Sequence, residues 1–88
     1  MLRSPVPDDV AAELDRAVRR WQQLPLDRAV AASAGVHAVL AELAGETLPD
    51  LGPAVVMDQL RVVVYDACAK GEVPALAGRL ASLRLSWA

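Results

Sequence analysis

The stretch that decides the fold is "LGPAVVMDQLRVVVYDACAKG", residues 51–71. It opens with a glycine–proline pair, closes on a glycine, and is apolar on nearly every side between them. At 100° per residue, Val56, Met57, Leu60, Val63, Val64, Ala67 and Cys68 gather on one wide side, the pattern of a helix that faces a core. "RVVVY" taken alone favours a strand, because valine and tyrosine suit a pleated surface. The helical period nevertheless continues through Leu60, Ala67 and Cys68, Asp66 and Lys70 stand at i, i+4, and no other segment offers a partner strand. A helix is therefore predicted, with Pro53 in its first turn, Gly52 or Asp50 as its cap and Gly71 as its stop.

This helix carries more apolar surface than one core side needs. Val55, Val62 and Ala69, seven residues apart, make a second and narrower stripe. Asp58, Arg61 and Tyr65 flank it on one side, and Gln59, Asp66 and Lys70 on the other. The wide side is expected to face the chain's own core and the narrow one to face another chain. Val55, Asp58, Arg61, Val62, Tyr65 and Ala69 are the candidate interface residues, and tyrosine and arginine are enriched at binding hot spots.

Three further helices are expected around this one. Val6-Pro7-Asp8-Asp9 opens the first, since proline suits a first turn and aspartate the positive end of the helix dipole. Val10, Leu14, Ala17, Val18, Trp21 and Leu24 then recur on one side, with Glu13, Asp15, Arg16, Arg19, Arg20 and Gln23 opposite, until Pro25 interrupts. The second runs from Asp27, as cap, to Ala44, with Gly45 ending it. Val36, Val39, Leu40 and Leu43 form its broad side, and Ala31, Ala34, Gly35 and Ala38 a small-residue side suited to a tight helix crossing, within the fold or between chains. The fourth begins at Pro74 and aligns Leu76, Leu80, Leu83 and Trp87, flanked by Arg79 and Arg84. So little chain follows that Trp87 must dock on something for the last turn to be ordered. The prediction is an all-α, compact four-helix domain, residues 1–88, with a central apolar third helix.

Composition fits that picture and narrows the function. A chain of 88 residues is one domain, and one this size hides only about 60–65% of its unfolded surface. Its residues are 55% hydrophobic, against roughly 45–50% in a typical soluble domain, and part of the excess is alanine. Eleven carboxylates against nine basic residues leave no footprint for a polyanion. The longest uncharged run, Ala29 to Ala41, is too short for a bilayer, which takes about 20 residues. The start "MLRSPVPDD" lacks the arrangement of a signal peptide, and the single cysteine, Cys68, fits a reducing cytoplasm. Arginine far outnumbers lysine and alanine is plentiful, as GC-rich bacterial coding often gives.

Residues 29–44, "AVAASAGVHAVLAELA", resemble a helix-turn-helix of the repressor type, with Ala31, Gly35 and Val36 at the small-residue, turn and apolar places. That resemblance implies a small DNA-binding regulator, the alternative function. The sequence departs from it where bases would be read: Ala38, Val39, Leu40, Glu42 and Leu43 offer no arginine, lysine, asparagine or glutamine, Glu42 would meet phosphate with the wrong charge, and Ala41 and Ala44 replace larger core residues. One continuous helix is the preferred reading, with nucleic acid disfavoured as a partner. Arg16, Arg19 and Arg20, with Arg28 nearby, form the one basic cluster, but Glu13 and Asp15 share that surface and make it a solvated face.

Catalysis has no comparable support. His37 is the only histidine, so a two-histidine metal site cannot form within one chain, and a nucleophile system would require His37 to meet Cys68. Asp58 and Asp66 are eight residues and about 80° apart around the helix, too far for an acid–base pair. The five glycines show no phosphate-loop spacing. No catalytic, cofactor-binding or metal residue is assigned, no cofactor or small-molecule substrate is expected, and a composite enzyme site at a subunit junction is only a third reading. The expected function is a non-catalytic interaction module that self-associates, as a homodimer through the third helix, or docks a larger partner.

Overall fold

Two prolines divide the N-terminal half. In the computed structural model, which describes residues 4–87, α1 (Asp8–Gln23) follows Pro7 and α2 (Leu26–Ala44) follows Pro25. The remaining residues of the predicted domain, 1–3 and 88, lie outside the described residues. Proline fits a helix edge because no intrahelical bond is asked of its missing N–H, while its carbonyl still accepts from Ala11 in α1 and from Ala29 in α2. Leu24, ahead of Pro25, is extended, so α1 ends there and the chain turns sharply into α2. Asp27 therefore sits in the first turn of α2 and is not its cap: the helix begins at Leu26, earlier than the start at Asp27 expected from sequence. Gly45, left-handed at φ 76°, ends α2 through a bond from its N–H to the Ala41 carbonyl.

α3 (Val56–Ala69) begins three residues later than Pro53 in its first turn would place it. The N–H groups of Val55 and Val56 both bond to the Gly52 carbonyl, so residues 53–55 form a separate turn ahead of the helix. Asp50 accepts from the Gly52 N–H at 3.0 Å and shapes the bend rather than capping the helix. α4 (Leu76–Leu85) follows a short link, and among the described residues there is no strand.

α1 packs on α4 and α2 on α3, with α3 also touching α1. The first turns of α2 and α3 meet around Leu26, Ala29, Ala54 and Met57, and their ends meet around Leu43, Ala67 and Lys70. These two helices therefore run in the same direction. α1 and α4 run the opposite way, sharing one hollow at Val10 and Leu76 and another at Leu24 and Trp87. The order is up, down, down, up, and the residues between Gly45 and Val55 cross back over the whole length of the α2–α3 pair.

Two side chains hold this crossover by hydrogen bonds and a third lies beside it. Trp21 donates its indole N–H to the Pro53 carbonyl at 2.9 Å, Gln59 donates to the Pro49 carbonyl at 3.0 Å, and His37 Nε2 lies 3.6 Å from Asp50 Oδ1. Leu48 packs against the core from the crossover.

The core is the one the helical spacing predicts. α1 buries Val10, Leu14, Ala17, Val18 and Trp21; α2 buries Val36, Val39 and Leu40; α4 buries Leu76, Leu80 and Leu83. α3 buries Val56, Met57, Leu60, Val63 and Val64, and Leu60 and Val64 are wholly closed off. Trp87 docks inward, its ring 4.9 Å from that of Trp21 at 65°. Ala29, beside the sharp α1–α2 turn, joins the core although its small size gave no signal.

Two further features depart from the sequence reading. Glu13, expected on the outer face of α1, is largely covered, with Arg16 at 2.6 Å and Arg84 of α4 at 3.6 Å. The small-residue side of α2 makes no crossing within the fold: Ala31, Ala34, Gly35 and Ala38 are all exposed, and a Cβ on Gly35 would meet nothing within 4 Å.

Ala75 adopts a left-handed conformation, φ 60° and ψ 17°, just before α4. For a residue with a Cβ this region costs on the order of 1 kcal/mol, which glycine does not incur. Glycine's larger chain entropy offsets about 0.4–1 kcal/mol of this, so Ala75→Gly should raise the unfolding free energy by up to about 0.6 kcal/mol. Urea unfolding with an unchanged slope and a higher midpoint is the result expected; a lower midpoint would mean that no strain is held there.

A candidate interaction surface on the third helix

A helix packed against neighbours on one side leaves the opposite residues to solvent, and α3 leaves apolar ones there. Val62 is 59% exposed and Tyr65 51%, in the middle of a helix whose next-door residues Val63 and Val64 are buried. Asp58, Arg61 and Ala69 are exposed around them. Five of the six candidate interface residues thus share one solvent-facing side. Val55 stands apart from them: it is half-buried at the helix start, where its carbonyl accepts from the N–H groups of Asp58 and Gln59. Arg61 lies 3.8 Å from Asp15 of α1 and ties one edge of this side to the rest of the domain.

Along the other edge runs a groove of about 450 Å³ between α3, the end of α2 and the crossover. Leu43, Leu48, Val62, Val63 and Ala67 give it an apolar floor, and Glu46, Asp58, Asp66 and Lys70 stand around it. Sequence spacing places Asp58, Val62, Asp66 and Lys70 on neighbouring lines of one helix. It gives no hint of Leu43, Glu46 and Leu48, which arrive because α2 and α3 run side by side and the crossover folds back. The one available signal is Leu48, an isolated large apolar residue in the polar segment "GETLPD".

Charges elsewhere are mostly tied down. Arg79 of α4 grips Glu42 of α2 with two bonds, 2.6 and 2.7 Å, and holds its carboxyl below the usual carboxylate range by hydrogen bonding first and charge second. Arg28 donates to the Trp87 carbonyl at 2.9 Å. These contacts use Glu42 and Arg28 to join helices, which accounts for two of the charged residues weighed for nucleic-acid contact.

The preferred reading of residues 29–44 as one continuous helix holds, and the helix-turn-helix alternative does not form. Residues 29–44 lie inside the single helix α2, with no turn at Gly35. The outward side of that helix is instead a second apolar strip, with Leu26 72% and Val30 57% exposed.

His37 and Cys68 do not meet. His37 neighbours Asp50 in the crossover, whereas Cys68 is in the last turn of α3, and no hydrogen bond joins them. Cys68 lines a separate hollow with Pro7, Val10 and Leu76. Burial pushes its thiol above the ordinary value, away from the thiolate a nucleophile needs. Among the described residues no group of three or more His, Cys, Asp or Glu side chains could hold a metal ion, and no helix is long and apolar enough to cross a membrane.

No family model matches this chain, and neither the curated proteins nor the solved structures contain a match.

Proposed function

We propose that this domain is a non-catalytic protein–protein interaction module that self-associates or docks a larger partner through the outward side of α3. The observation that carries this reading is Val62, more than half exposed at the centre of a helix whose other valines, Val56, Val63 and Val64, are buried. Covering such a side chain fully is worth about 1.5–3 kcal/mol relative to leaving it exposed, and Tyr65 adds an aromatic surface with a polar tip beside it. Arg61, Asp58 and Ala69 complete a patch with an apolar centre and a charged edge, the general anatomy of a protein contact. The setting we infer is a reducing bacterial cytoplasm, supported by one unpaired, half-buried cysteine and an arginine- and alanine-rich composition.

Self-association is tested by light scattering over a dilution series down to low micromolar. A homodimer through α3 gives twice the 9.3 kDa of one chain and falls to the monomer mass in Val62→Asp with the helical circular dichroism retained. A folded Val62→Asp that associates like the parent would remove α3 as the contact surface. A parent that is monomeric throughout would remove self-association.

A further inference from the structure

We propose that the groove beside Val62 receives a cationic amphipathic helix of a second protein. This rests on the interaction-module reading above and chooses between its two occupants. The groove is preformed on both sides. Its α3 wall is a regular helix, and its crossover wall is pinned by the bond from Gln59 to the Pro49 carbonyl at 3.0 Å. From Asp58 to Lys70 the α3 wall extends about 18 Å, which matches roughly three turns of a docked helix and anchors spaced i, i+3/i+4, i+7. Leu43, Leu48, Val62 and Val63 give those anchors an apolar floor.

The rim specifies charge. Glu46, Asp58 and Asp66 stand around the floor against a single cation, Lys70. None of the three carboxylates has an ion-pair partner among the described residues, so each is open to a cation from outside. A helix with leucine-like anchors along one stripe and lysine or arginine on its flanks would fill the floor and neutralise the rim.

A second copy of this chain fits the groove poorly in the two symmetric arrangements centred on Val62. A two-fold axis along α3 sets Asp58 against Asp58 and Asp66 against Asp66, and one across it at Val62 sets Asp58 against Asp66. Either way like charges face each other. Nor can α1 of another copy enter by its arginine face. Arg16 and Arg19 are exposed there, but the large apolar residues of α1 are turned into the core.

The test uses two synthetic 14-residue peptides that share one leucine stripe at helical spacing, with lysine on the flanks of one and glutamate on the other. Titration is followed by calorimetry and by backbone amide shifts of the labelled domain. The lysine peptide should bind and shift amides of residues 43–48 and 58–70, and the glutamate peptide should not bind. Asp58→Lys with Asp66→Lys, both exposed and therefore tolerant of change, should weaken the lysine peptide by roughly tenfold or more, and added salt should weaken it too. Equal binding of both peptides, shifts confined to the outward side of α2, or no effect of the double variant would overturn the proposal. If the lysine peptide fails while Val62→Asp still changes the solution mass, the interaction reading survives with a second copy as occupant; if neither responds, that reading falls as well.

Discussion

Trp87→Ala should lower the unfolding free energy by about 3–5 kcal/mol. A domain of 88 residues holds only about 4–13 kcal/mol in total, so the variant should be close to unfolding at room temperature. The size of the effect follows from position. Trp87 lies two residues beyond the end of α4 yet is only 4% exposed, with its ring edge-to-face against Trp21. That geometry adds about 0.5–1.5 kcal/mol beyond the area buried. Its carbonyl accepts from Arg28 in the first turns of α2, so the residue joins the ends of α1 and α4 to the start of α2. Trp21 in turn holds the crossover at Pro53, and losing its ring partner loosens that anchor. Urea unfolding measures the loss directly, and near-ultraviolet circular dichroism should lose the signal of the edge-to-face indole pair. A variant within 1 kcal/mol of the parent would show that the C-terminal turn lies on the fold without supporting it, and Trp87→Phe should then be silent too.

That two-tryptophan contact also shows how far a sequence of this kind can be read. Each tryptophan falls on the apolar side of its helix by spacing alone. The four helices, their core sides and both glycine stops follow from the same local rules, because burial repeats with the helical period and breakers act where they stand. What spacing does not encode is direction. α2 and α3 could be joined by a tight turn and run oppositely, as short connections in bundles prefer; the eleven residues from Gly45 to Val55 let them run together. The groove exists because of that choice, so Asp58 and Val62 were legible as surface residues while Leu43, Glu46 and Leu48 were not legible as their neighbours. Glu13 was misplaced for a related reason. α4 crosses α1 near its polar face and covers a carboxylate that the helical wheel assigns to solvent, with Arg84 brought alongside it. The start of α3 was read too early because Gly52, left-handed at φ 93°, closes a turn of its own before the helix begins.

Two valines separated by one residue should answer opposite ways to the same substitution. Val64 is 0% exposed, on the side of α3 that meets the core with Leu60 and Val56. An aspartate there would bury a carboxylate in a core that holds no buried polar or charged residue among the described residues. The domain must then either hold an unpaired charge away from water or keep the acid protonated at neutral pH, and both are costly. Together with the lost packing of the isopropyl group, Val64→Asp should cost more than about 4 kcal/mol and abolish the cooperative thermal transition. Val62 points the other way and keeps most of its surface in water. Aspartate and valine have similar helix propensity, and the added repulsion from Asp58 and Asp66, each four residues away, is worth about 0.2–0.5 kcal/mol per pair. Val62→Asp should thus stay folded, within about 1 kcal/mol of the parent, while losing whatever contact α3 makes with another chain. Circular dichroism melts of both variants beside light scattering of the second separate the two roles of one helix. If Val62→Asp melted like Val64→Asp, the outward side of α3 would be part of the fold's own core and no surface would be left there for a partner.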